Sequence, residues 1–330
     1  NDVAYTIEPG ETMLSFIRKH IGKSHVPTLC DAPNLDPFGA CRVCCVDVAL
    51  TPGGNMKTMA SCHTPVIANS YIYTENDRIQ KLRKNIVELV LTAHPPDCLT
   101  CEVNGNCELQ TVAAKVGIRD VRYPEGKNHL HTPKDRSHAY MTSDLSKCIN
   151  CGRCVRACDE VQGELILSFA GRGFDSHIVK GFDQSFAESD CVSCGACAQA
   201  CPTSAISDIF ESKSINFTEK TRTVCTYCGV GCNLDVATIN GKVKSIQAPY
   251  DAEVNIGHTC LKGRYAFSFY NHGDRLRSPL IKRNGRFEEV SWDEAYDYIA
   301  DKLTAIKAQY GPDAIGAISS ARCTNEENYL

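Results

Sequence analysis

Cysteine placement is the feature that most constrains how this chain can fold. The chain has 330 residues and 21 cysteines. Nineteen of these cysteines, together with His94, sort into five groups of four, and each group has spacing typical of iron-sulfur cluster ligands. The length and the placement of turn residues predict several small domains in series instead of one large core. A chain of this kind is predicted to transfer electrons.

Composition and charge exclude several other classes of protein. Disulfide frameworks belong to small secreted domains, whereas this chain has C-x-x-C runs and no charged-then-apolar leader, so metal ligation in a reducing cytoplasm is favoured. No apolar run approaches the roughly 20 residues that span a bilayer. The net charge of -4 and a pI near 6.2 provide no broad basic surface, so nucleic acid is not an expected partner.

The first group of cysteines lies in residues 1–76, which are predicted to form a small α+β domain. Alternation over Val3–Ile7 predicts a strand, Thr12–His20 is helical in pattern, and the turn at Thr51–Asn55 predicts a hairpin. The four cysteines, which we call the 2Fe-2S site, are Cys30, Cys41, Cys44 and Cys62.

The spacing Cys30-x10-Cys41-x2-Cys44, with Gly39 ahead of Cys41, resembles the 2Fe-2S domain at the start of respiratory complex I large subunits, iron-only hydrogenases and some formate dehydrogenases. Plant-type ferredoxins have a shorter spacing. A tight loop of this kind lets backbone N–H groups point at the sulfurs. Zinc is the alternative, but two C-x-x-C pairs would suit it better than this layout. Cys45 falls outside the pattern and is interpreted as a buried structural thiol.

The second group follows an amphipathic helix predicted over residues 77–93, within a domain predicted over 77–122. The apolar face of this helix is predicted to contain Ile79, Leu82, Ile86, Leu89, Val90 and Ala93. The group itself resembles the His(Cys)3 4Fe-4S domain of the same three families. That resemblance implies four ligands, which we call the histidine site: His94, Cys98, Cys101 and Cys107. A neutral imidazole in place of a thiolate removes one negative charge, so this cluster should have a higher potential than an all-cysteine neighbour.

A connecting loop is predicted over residues 123–138, because this stretch is rich in Pro, Gly, Lys and His without periodicity. Histidines in and beyond this loop could be imagined as a metal patch, but they are interpreted as solvated residues. They are His129, His131, His138 and His177.

Residues 139–212 contain two copies of a C-x2-C-x2-C-x3-C run, the second followed by Pro202. The repeat resembles two-cluster bacterial ferredoxins, in which the fourth cysteine of each run crosses to the other cluster. The resemblance implies a first ferredoxin site of Cys148, Cys151, Cys154 and Cys201, and a second ferredoxin site of Cys191, Cys194, Cys197 and Cys158. Two departures leave room for a distorted pairing: Asp159 stands where the second copy has proline, and 32 residues separate the two runs.

The fifth group, within residues 218–275, follows a predicted strand at 222–224 and reads VCTYCGVGC. It resembles the N-terminal 4Fe-4S domain of molybdenum or tungsten bis-pyranopterin oxidoreductases, and the formate dehydrogenase branch most of all. The cysteine arrangement of the iron-only hydrogenase catalytic domain is not found here. The resemblance implies a site that we call the pterin-domain site: Cys225, Cys228, Cys232 and Cys260. It also implies that Lys262 lies between the cluster and the pterin, whereas without the motif Lys262 would be taken for an ordinary exposed lysine.

Residues 276–330 are predicted to begin the large α/β domain of the same family, which is expected to continue past Leu330. A capping box at Ser291 opens a helix that runs to Tyr310, and 314–320 is predicted to be a buried strand. The helix is predicted to bury Ala295, Ile299, Leu303, Ile306 and Tyr310. Cys323 is not expected to bind the catalytic metal, because the ligand in formate dehydrogenases is a cysteine or selenocysteine followed by histidine.

The order of the five groups predicts an α+β multidomain iron-sulfur protein. It resembles the N-terminal electron-transfer part of a cytoplasmic molybdenum or tungsten formate dehydrogenase of the NAD(P)-coupled type. The cofactors implied are one 2Fe-2S cluster, four 4Fe-4S clusters and, in the full-length protein, a Mo or W bis-molybdopterin guanine dinucleotide. The reaction implied is the reversible oxidation of formate to carbon dioxide. The partners implied are flavin and iron-sulfur subunits linked to NAD(P), or ferredoxin, in a hetero-oligomer without a membrane span.

Two alternatives remain at the level of sequence. A non-catalytic electron-transfer subunit that ends near Leu330 would carry no active site, although half of an α/β domain exposes a strand edge and an apolar helix face. A complex I-type large subunit shares the first two domains, but the repeated ferredoxin run and the CTYCGVGC motif favour formate dehydrogenase. The route expected for electrons leads from the pterin-domain site through the ferredoxin pair and the histidine site to the 2Fe-2S site.

Overall fold

The computed structural model describes residues 3–126, 132–210, 217–323 and 325–330, so His129 and His131 lie outside the described residues.

The N-terminal core is a small sheet packed on a helix. Helix α1 (Met13–His20) begins after Thr12, whose hydroxyl accepts a hydrogen bond from the backbone of Ser15. Strands β1 (Cys45–Ala49), β2 (Lys57–Ala60) and β3 (Tyr71–Tyr73) form an antiparallel sheet in the order β2-β1-β3, which confirms the predicted hairpin.

The strand prediction for Val3–Ile7 was wrong. These residues have no strand partner among the described residues, and Val3 and Tyr5 are exposed. The ring of Tyr5 packs on Phe16 and His20 of α1 instead. Because this segment joins no sheet, its alternating apolar residues do not form a strand.

Helix α2 (Asp77–Leu91) is present as predicted, but its buried face differs from the predicted one. Ile79 is buried, whereas Leu89 is 52% exposed. Two polar side chains are buried because each has a partner: Arg83 Nη2 donates to the carbonyl of Cys45 at 2.8 Å, and Glu88 forms a 2.6 Å ion pair with Arg122. A pattern of apolar residues alone could not indicate these satisfied polar groups. Helix α3 (Glu108–Lys115) packs beside α2.

The ferredoxin-like region is built around a short antiparallel pair. Its elements are β4 (Met141–Ser143), α4 (Arg153–Arg156), β5 (Leu167–Ala170), β6 (His177–Lys180), α5 (Ala196–Ala200) and β7 (Ile206–Asp208). Strand β4 pairs with β7. The β5–β6 hairpin lies within the 32 residues between the cysteine runs. After α4 the chain continues through a π-helical segment over 157–162, whereas α5 ends before Cys201, because Pro202 disfavours helix at the residue before it.

The next domain is a three-stranded antiparallel sheet with two short helices. Strands β8 (Glu219–Val224), β9 (Asn233–Ile239) and β10 (Lys242–Gln247) lie in the order β10-β9-β8, so the predicted strand at 222–224 is confirmed. Helices α6 (Leu261–Tyr265) and α7 (Ser268–Asn271) contact β10. Among the described residues, no helix has the length and apolar character needed to cross a membrane.

The C-terminal segment has a β11 (Leu280–Arg283) and β12 (Arg286–Glu289) hairpin, helix α8 (Trp292–Tyr310) and a short α9 (Asn325–Tyr329). Ser291 caps α8, but the side chain of Glu294 pairs with Arg283, so the capping box is only half formed.

Two predictions for the C-terminal segment were wrong. Only Ala295 of the predicted α8 face is buried, and Ile299 is 52% exposed. Residues 314–320 form no strand, and Ile318 is fully exposed. A strand needs a neighbouring strand for its backbone hydrogen bonds, and none pairs with this segment in the described part of the chain.

Candidate iron-sulfur sites

The 2Fe-2S site is a compact set of four thiols between α1 and β1. Three of the cysteines are buried and Cys41 is half-buried. The backbone N–H of Cys41 donates to the sulfur of Cys30 at 3.5 Å, as expected for a tight ligand loop. The hydrogen bond from the Cys41 thiol lowers the pKa of Cys30 to about 5, and the hydrogen bond from Cys62 lowers that of Cys44 to about 6. The hydrogen bond to Cys44 raises the pKa of Cys62, and burial and the charges of Cys44, Cys30 and Cys41 raise it further, so the four thiols lie within electrostatic range of one another.

The histidine site follows the end of α2. Burial lowers the pKa of His94, which keeps the ring neutral, and its Nδ1 is buried with no hydrogen-bond partner among the described residues. Burial raises the pKa of Cys107, and the charges of Cys101 and Cys98 raise it further, so the three thiols lie close to one another. Lys147 donates from Nζ to the sulfur of Cys101 at 3.2 Å. Its positive charge also lowers the pKa of His94, after the larger effect of burial. A neutral imidazole with a free nitrogen is the form that binds metal.

Replacing His94 by cysteine is expected to lower the reduction potential of the cluster at the histidine site by on the order of 100 mV, because a thiolate adds one negative charge. The measurement is a redox titration followed by EPR on the full-length protein. The other clusters of the same variant are the internal control, since their ligands do not change. An unaltered potential at this one site would exclude His94 as a ligand.

Each ferredoxin site encloses a small apolar cavity. The first cavity is lined by Cys148, Cys151, Cys154 and Cys201, and the second by Cys158, Cys191, Cys194 and Cys197. Both cavities have almost wholly apolar walls, including Leu145 and Ile206 in the first and Met141 and Phe186 in the second. The grouping around each cavity is the crossed grouping that the ferredoxin resemblance implies.

The chemistry of these two donor sets suits a metal cluster. Burial raises the pKa of Cys148 and of Cys151 to about 12, and it raises the pKa of Cys154 and of Cys197 well above the usual value. These desolvated thiols therefore resist ionisation unless a cation is bound beside them. No three His, Cys, Asp or Glu side chains of the described residues are arranged to hold one metal ion. A cluster separates its ligands more widely than a single ion does.

The repeat duplicates a backbone conformation as well as the cysteines, and the sequence analysis missed this feature. Asn150 and Ser193, each two residues after the first cysteine of its run, have positive φ angles of 51° and 59°. Their N–H groups donate to the sulfurs of Cys148 and Cys191, each at 3.4 Å. Gly152 and Gly195 occur at matching positions, with φ of 73° and 75°. The glycine that directly follows the second cysteine in both copies was the available signal in the sequence.

The pterin-domain site lies where β8 meets α6. The backbone N–H of Cys225 donates to the carbonyl of Cys232 at 2.8 Å, and Cys260 caps the N-terminus of α6. Burial raises the pKa of Cys225, and the charges of Cys260 and Cys228 raise it further, so these sulfurs lie within electrostatic range of Cys225. Cys228 and Cys260 are exposed. Lys262 is also exposed, on the first turn of α6.

The ferredoxin-like region contacts the other three sites through buried cations. Arg153 forms a two-pronged ion pair with Glu108 of α3, with both N–O distances 2.7 Å. Arg156 donates to the carbonyl of Asp36 at 2.5 Å and also to the carbonyl of Cys30 in the 2Fe-2S loop.

Arg264 of α6 donates from Nε to the carbonyl of Cys194 at 2.9 Å. The ferredoxin-like region therefore contacts the elements that carry the 2Fe-2S, histidine and pterin-domain sites.

Two cysteines, Cys45 and Cys323, belong to none of the proposed sites. Cys45 is buried in β1, and Cys323 is half-buried in the C-terminal segment. The interpretation of His138 as a solvated residue was wrong: its Nδ1 accepts hydrogen bonds from the backbone of Tyr140 and Met141, at 3.0 and 3.1 Å. These bonds, and ring contacts with Tyr140 and Phe186, hold it in the wall of the ferredoxin-like region.

Five family models match the chain one after another. They are the 2Fe-2S iron-sulfur cluster binding domain at 1–77, the NADH-ubiquinone oxidoreductase-G iron-sulfur binding region at 83–122, the 4Fe-4S dicluster domain at 147–205, the molybdopterin oxidoreductase Fe4S4 domain at 218–272, and molybdopterin oxidoreductase at 275–330. Together these matches give a multidomain iron-sulfur arrangement that leads into the start of a molybdopterin oxidoreductase domain.

Similar curated proteins include "Putative formate dehydrogenase" of Staphylococcus aureus strains bovine RF122 / ET3-1 and MSSA476, each 30% identical to this chain. Each match covers 99% of this chain and 36% of the relative, so the chain spans about a third of the length of these relatives. Among solved structures, an NAD+-reducing nickel-iron hydrogenase in the H2-reduced state matches with a TM-score of 0.53 and 23% identity, covering 65% of this chain and 87% of that one. This last likeness shows a shared fold.

Proposed function

This chain is an iron-sulfur electron-transfer module of a molybdopterin oxidoreductase, and from that premise we propose that the complete protein oxidises formate reversibly to carbon dioxide. The proposed electron acceptors are flavin and iron-sulfur subunits linked to NAD(P), or ferredoxin, in a cytoplasmic hetero-oligomer. The staphylococcal relatives, which carry formate dehydrogenase in their names, support the substrate. The fold shared with an NAD+-reducing enzyme supports the class of acceptor.

The observation that carries the proposal is the continuity of the five sites. Direct contacts link the elements that carry the donors of the proposed sites. Arg264 joins the pterin-domain side to Cys194, and the first ferredoxin run reaches the 2Fe-2S loop through Arg156 and the histidine site through Lys147. A chain that positions its donors in this way can carry electrons from one end of the module to the other.

We propose that one 2Fe-2S cluster and four 4Fe-4S clusters occupy the sites defined above. Each iron-sulfur cluster takes up and releases one electron, whereas formate oxidation delivers two. The protein's contribution is to hold the thiols in apolar cavities, to direct backbone N–H groups at their sulfurs, and to place cations beside them. Lys262, exposed on α6 beside Cys260, is proposed to face a Mo or W bis-molybdopterin guanine dinucleotide in the full-length protein.

The contacts modify the route expected from sequence, which placed the histidine site between the ferredoxin pair and the 2Fe-2S site. Arg156 bonds directly to the carbonyl of Cys30, and the apolar core around Leu29 and Val43 also includes Cys107. The 2Fe-2S loop therefore contacts both the ferredoxin-like region and the histidine site. We propose that electrons reach the two outer sites side by side from the first ferredoxin site.

Metal analysis of the natively purified full-length protein, retained with its partner subunits under anaerobic conditions, is the first test. One 2Fe-2S and four 4Fe-4S clusters require about 18 irons per chain, and a pterin enzyme requires close to one Mo or W. Formate should then reduce an artificial dye and NAD+ or NADP+ in the same preparation. A protein with all its iron but neither Mo nor W would contradict the enzyme proposal, and dye oxidation driven by nitrate without any formate activity would contradict the substrate.

A further inference from the structure

Arg264 is a buried arginine that connects two of the proposed cluster sites. Arg264 is only 3% exposed, and its Nε donates to the carbonyl of Cys194 at 2.9 Å. Its backbone N–H bonds to the carbonyl of Cys260 at 3.1 Å, within α6. The same short helix therefore begins at a cysteine of the pterin-domain site and carries, one turn later, a cation that lies against the second ferredoxin site.

The charge of Arg264 has no counterion in the described part of the chain. Its Nη2 is buried without a hydrogen-bond partner, and none of the described carboxylates forms an ion pair with it. Arg153, a buried arginine of the first ferredoxin run, differs from Arg264 because it forms an ion pair with Glu108. Arg156 places its guanidinium on two carbonyls and over the ring of Phe38. A buried guanidinium without an anion is costly, so a negative group beside Arg264 would stabilise it.

The negative group that the surroundings can provide is the second ferredoxin site itself. Arg264 Nε donates to the carbonyl of Cys194, a proposed ligand of that site, so the guanidinium lies beside the loop that holds the sulfurs. The chain also fits closely here, because a Cβ atom on Gly195 would lie 2.4 Å from Cδ of Arg264. Movement of Arg264 into solvent would break its hydrogen bond to the carbonyl of Cys194.

We propose that Arg264 is a positioning residue that donates a charge-assisted hydrogen bond from Nη2 to the cluster held by Cys158, Cys191, Cys194 and Cys197. This inference rests on the proposed cluster occupancy and does not depend on the substrate. The positive charge favours the reduced cluster, which carries one more negative charge, and therefore raises its reduction potential. The second ferredoxin site thereby becomes the favoured acceptor of electrons that arrive from the pterin-domain site.

The test compares Arg264→Met, Arg264→Lys and, as a matched control, Arg275→Met in the full-length, cluster-loaded protein. Arg275 is an exposed arginine of the same domain whose guanidinium lies over the rings of Phe269 and Tyr270, so its loss removes the same charge from the surface. Dithionite titrations followed by EPR measure the midpoint of each cluster, and a Cys158→Ala variant identifies which signal belongs to the second ferredoxin site.

Arg264→Met is expected to reduce the ratio of reduced to oxidised second-site cluster about tenfold at the wild-type midpoint, a shift of 59 mV for a one-electron couple. Arg264→Lys should keep the charge and recover most of that shift, and Arg275→Met should leave every midpoint unchanged. Equal shifts at all five clusters, or no shift at the second ferredoxin site, would overturn the inference. If Arg264→Met fails to assemble its clusters, a lowered midpoint confined to the second site in Arg264→Gln supports the inference, and an unchanged one overturns it. Absence of formate activity in the wild type would contradict only the proposed substrate, because dithionite supplies the electrons.

Discussion

Replacing Cys148 and Cys201 together by alanine is expected to damage one cluster, whereas replacing Cys191 and Cys201 together is expected to damage two. Cys201 belongs by sequence to the second cysteine run, but it lines the same cavity as Cys148, Cys151 and Cys154. If the cavity defines the site, the first pair of substitutions removes two ligands from one cluster and costs about 4 of about 18 irons. The second pair removes one ligand from each of two clusters, so two EPR signals are lost or altered.

The reason for the crossing is visible in how the two runs end. Thr203, two residues after Cys201, donates to the carbonyl of Lys147 at 2.7 Å, which holds Cys201 beside the first run. Charge on Cys201 raises the pKa of Cys148 and of Cys151, after the larger effect of burial, and charge on Cys158 acts in the same way on Cys191. The fourth cysteine of each run is thus electrostatically coupled to the first cysteine of the other run.

Two further double variants complete this test. Cys191→Ala with Cys158→Ala should behave like the first pair, with one cluster lost, and Cys148→Ala with Cys158→Ala should behave like the second pair. Iron content and the number of EPR signals are measured in each variant after anaerobic purification. The reverse result, in which Cys148 and Cys158 damage a single cluster, would mean that each run keeps its own fourth ligand and that the cavities do not mark the sites.

Sequence spacing predicts ligand groups wherever cysteines lie only a few positions apart, and the complete ligand sets stay predictions. The same local signals predicted the β1–β2 hairpin and helix α2. The contacts between sites could not be predicted in this way. Arg83 reaches Cys45, Arg156 reaches Cys30, and Arg264 reaches Cys194 across 38, 126 and 70 positions of sequence, respectively. Each of these cations donates to a carbonyl of a distant loop, and no periodicity in the chain encodes that partner.

The same reason explains the errors in the C-terminal segment. The apolar pattern of α8 is real, but Ile299 and Leu303 are exposed because no described element covers them. Periodicity indicates which face of a helix can be buried and says nothing about whether a neighbour is present to bury it. The ferredoxin-like region shows the opposite case, in which Phe186 and Met141 are fully buried by neighbours far away in sequence.

Replacing Gly195 by alanine is expected to destabilise the contact between the ferredoxin-like region and α6 by roughly 2 to 5 kcal/mol. Gly195 has a φ of 75°, which alone costs alanine about 1 to 2 kcal/mol. Its added Cβ would also lie 2.4 Å from Cδ of Arg264 and 2.4 Å from the hydroxyl oxygen of Tyr265. Both side chains are almost completely buried, so neither can move without disturbing its surroundings, and overpacking of this kind costs about 1 to 3 kcal/mol.

Gly152→Ala is the matched control for Gly195→Ala, because the two glycines occupy the same position in the repeat. Gly152 has a φ of 73°, so the backbone cost is the same, but its nearest contact would be 3.2 Å from a ring carbon of Phe38, which is partly exposed. Thermal unfolding of the cluster-loaded protein should therefore show the larger decrease in midpoint for Gly195→Ala. Formate-driven reduction of the ferredoxin clusters should slow in that variant alone, since α6 carries both Cys260 and Arg264. If the two variants lose equal stability and transfer electrons at the same rate, the cost lies in the left-handed backbone, and the contact with α6 contributes nothing to electron transfer.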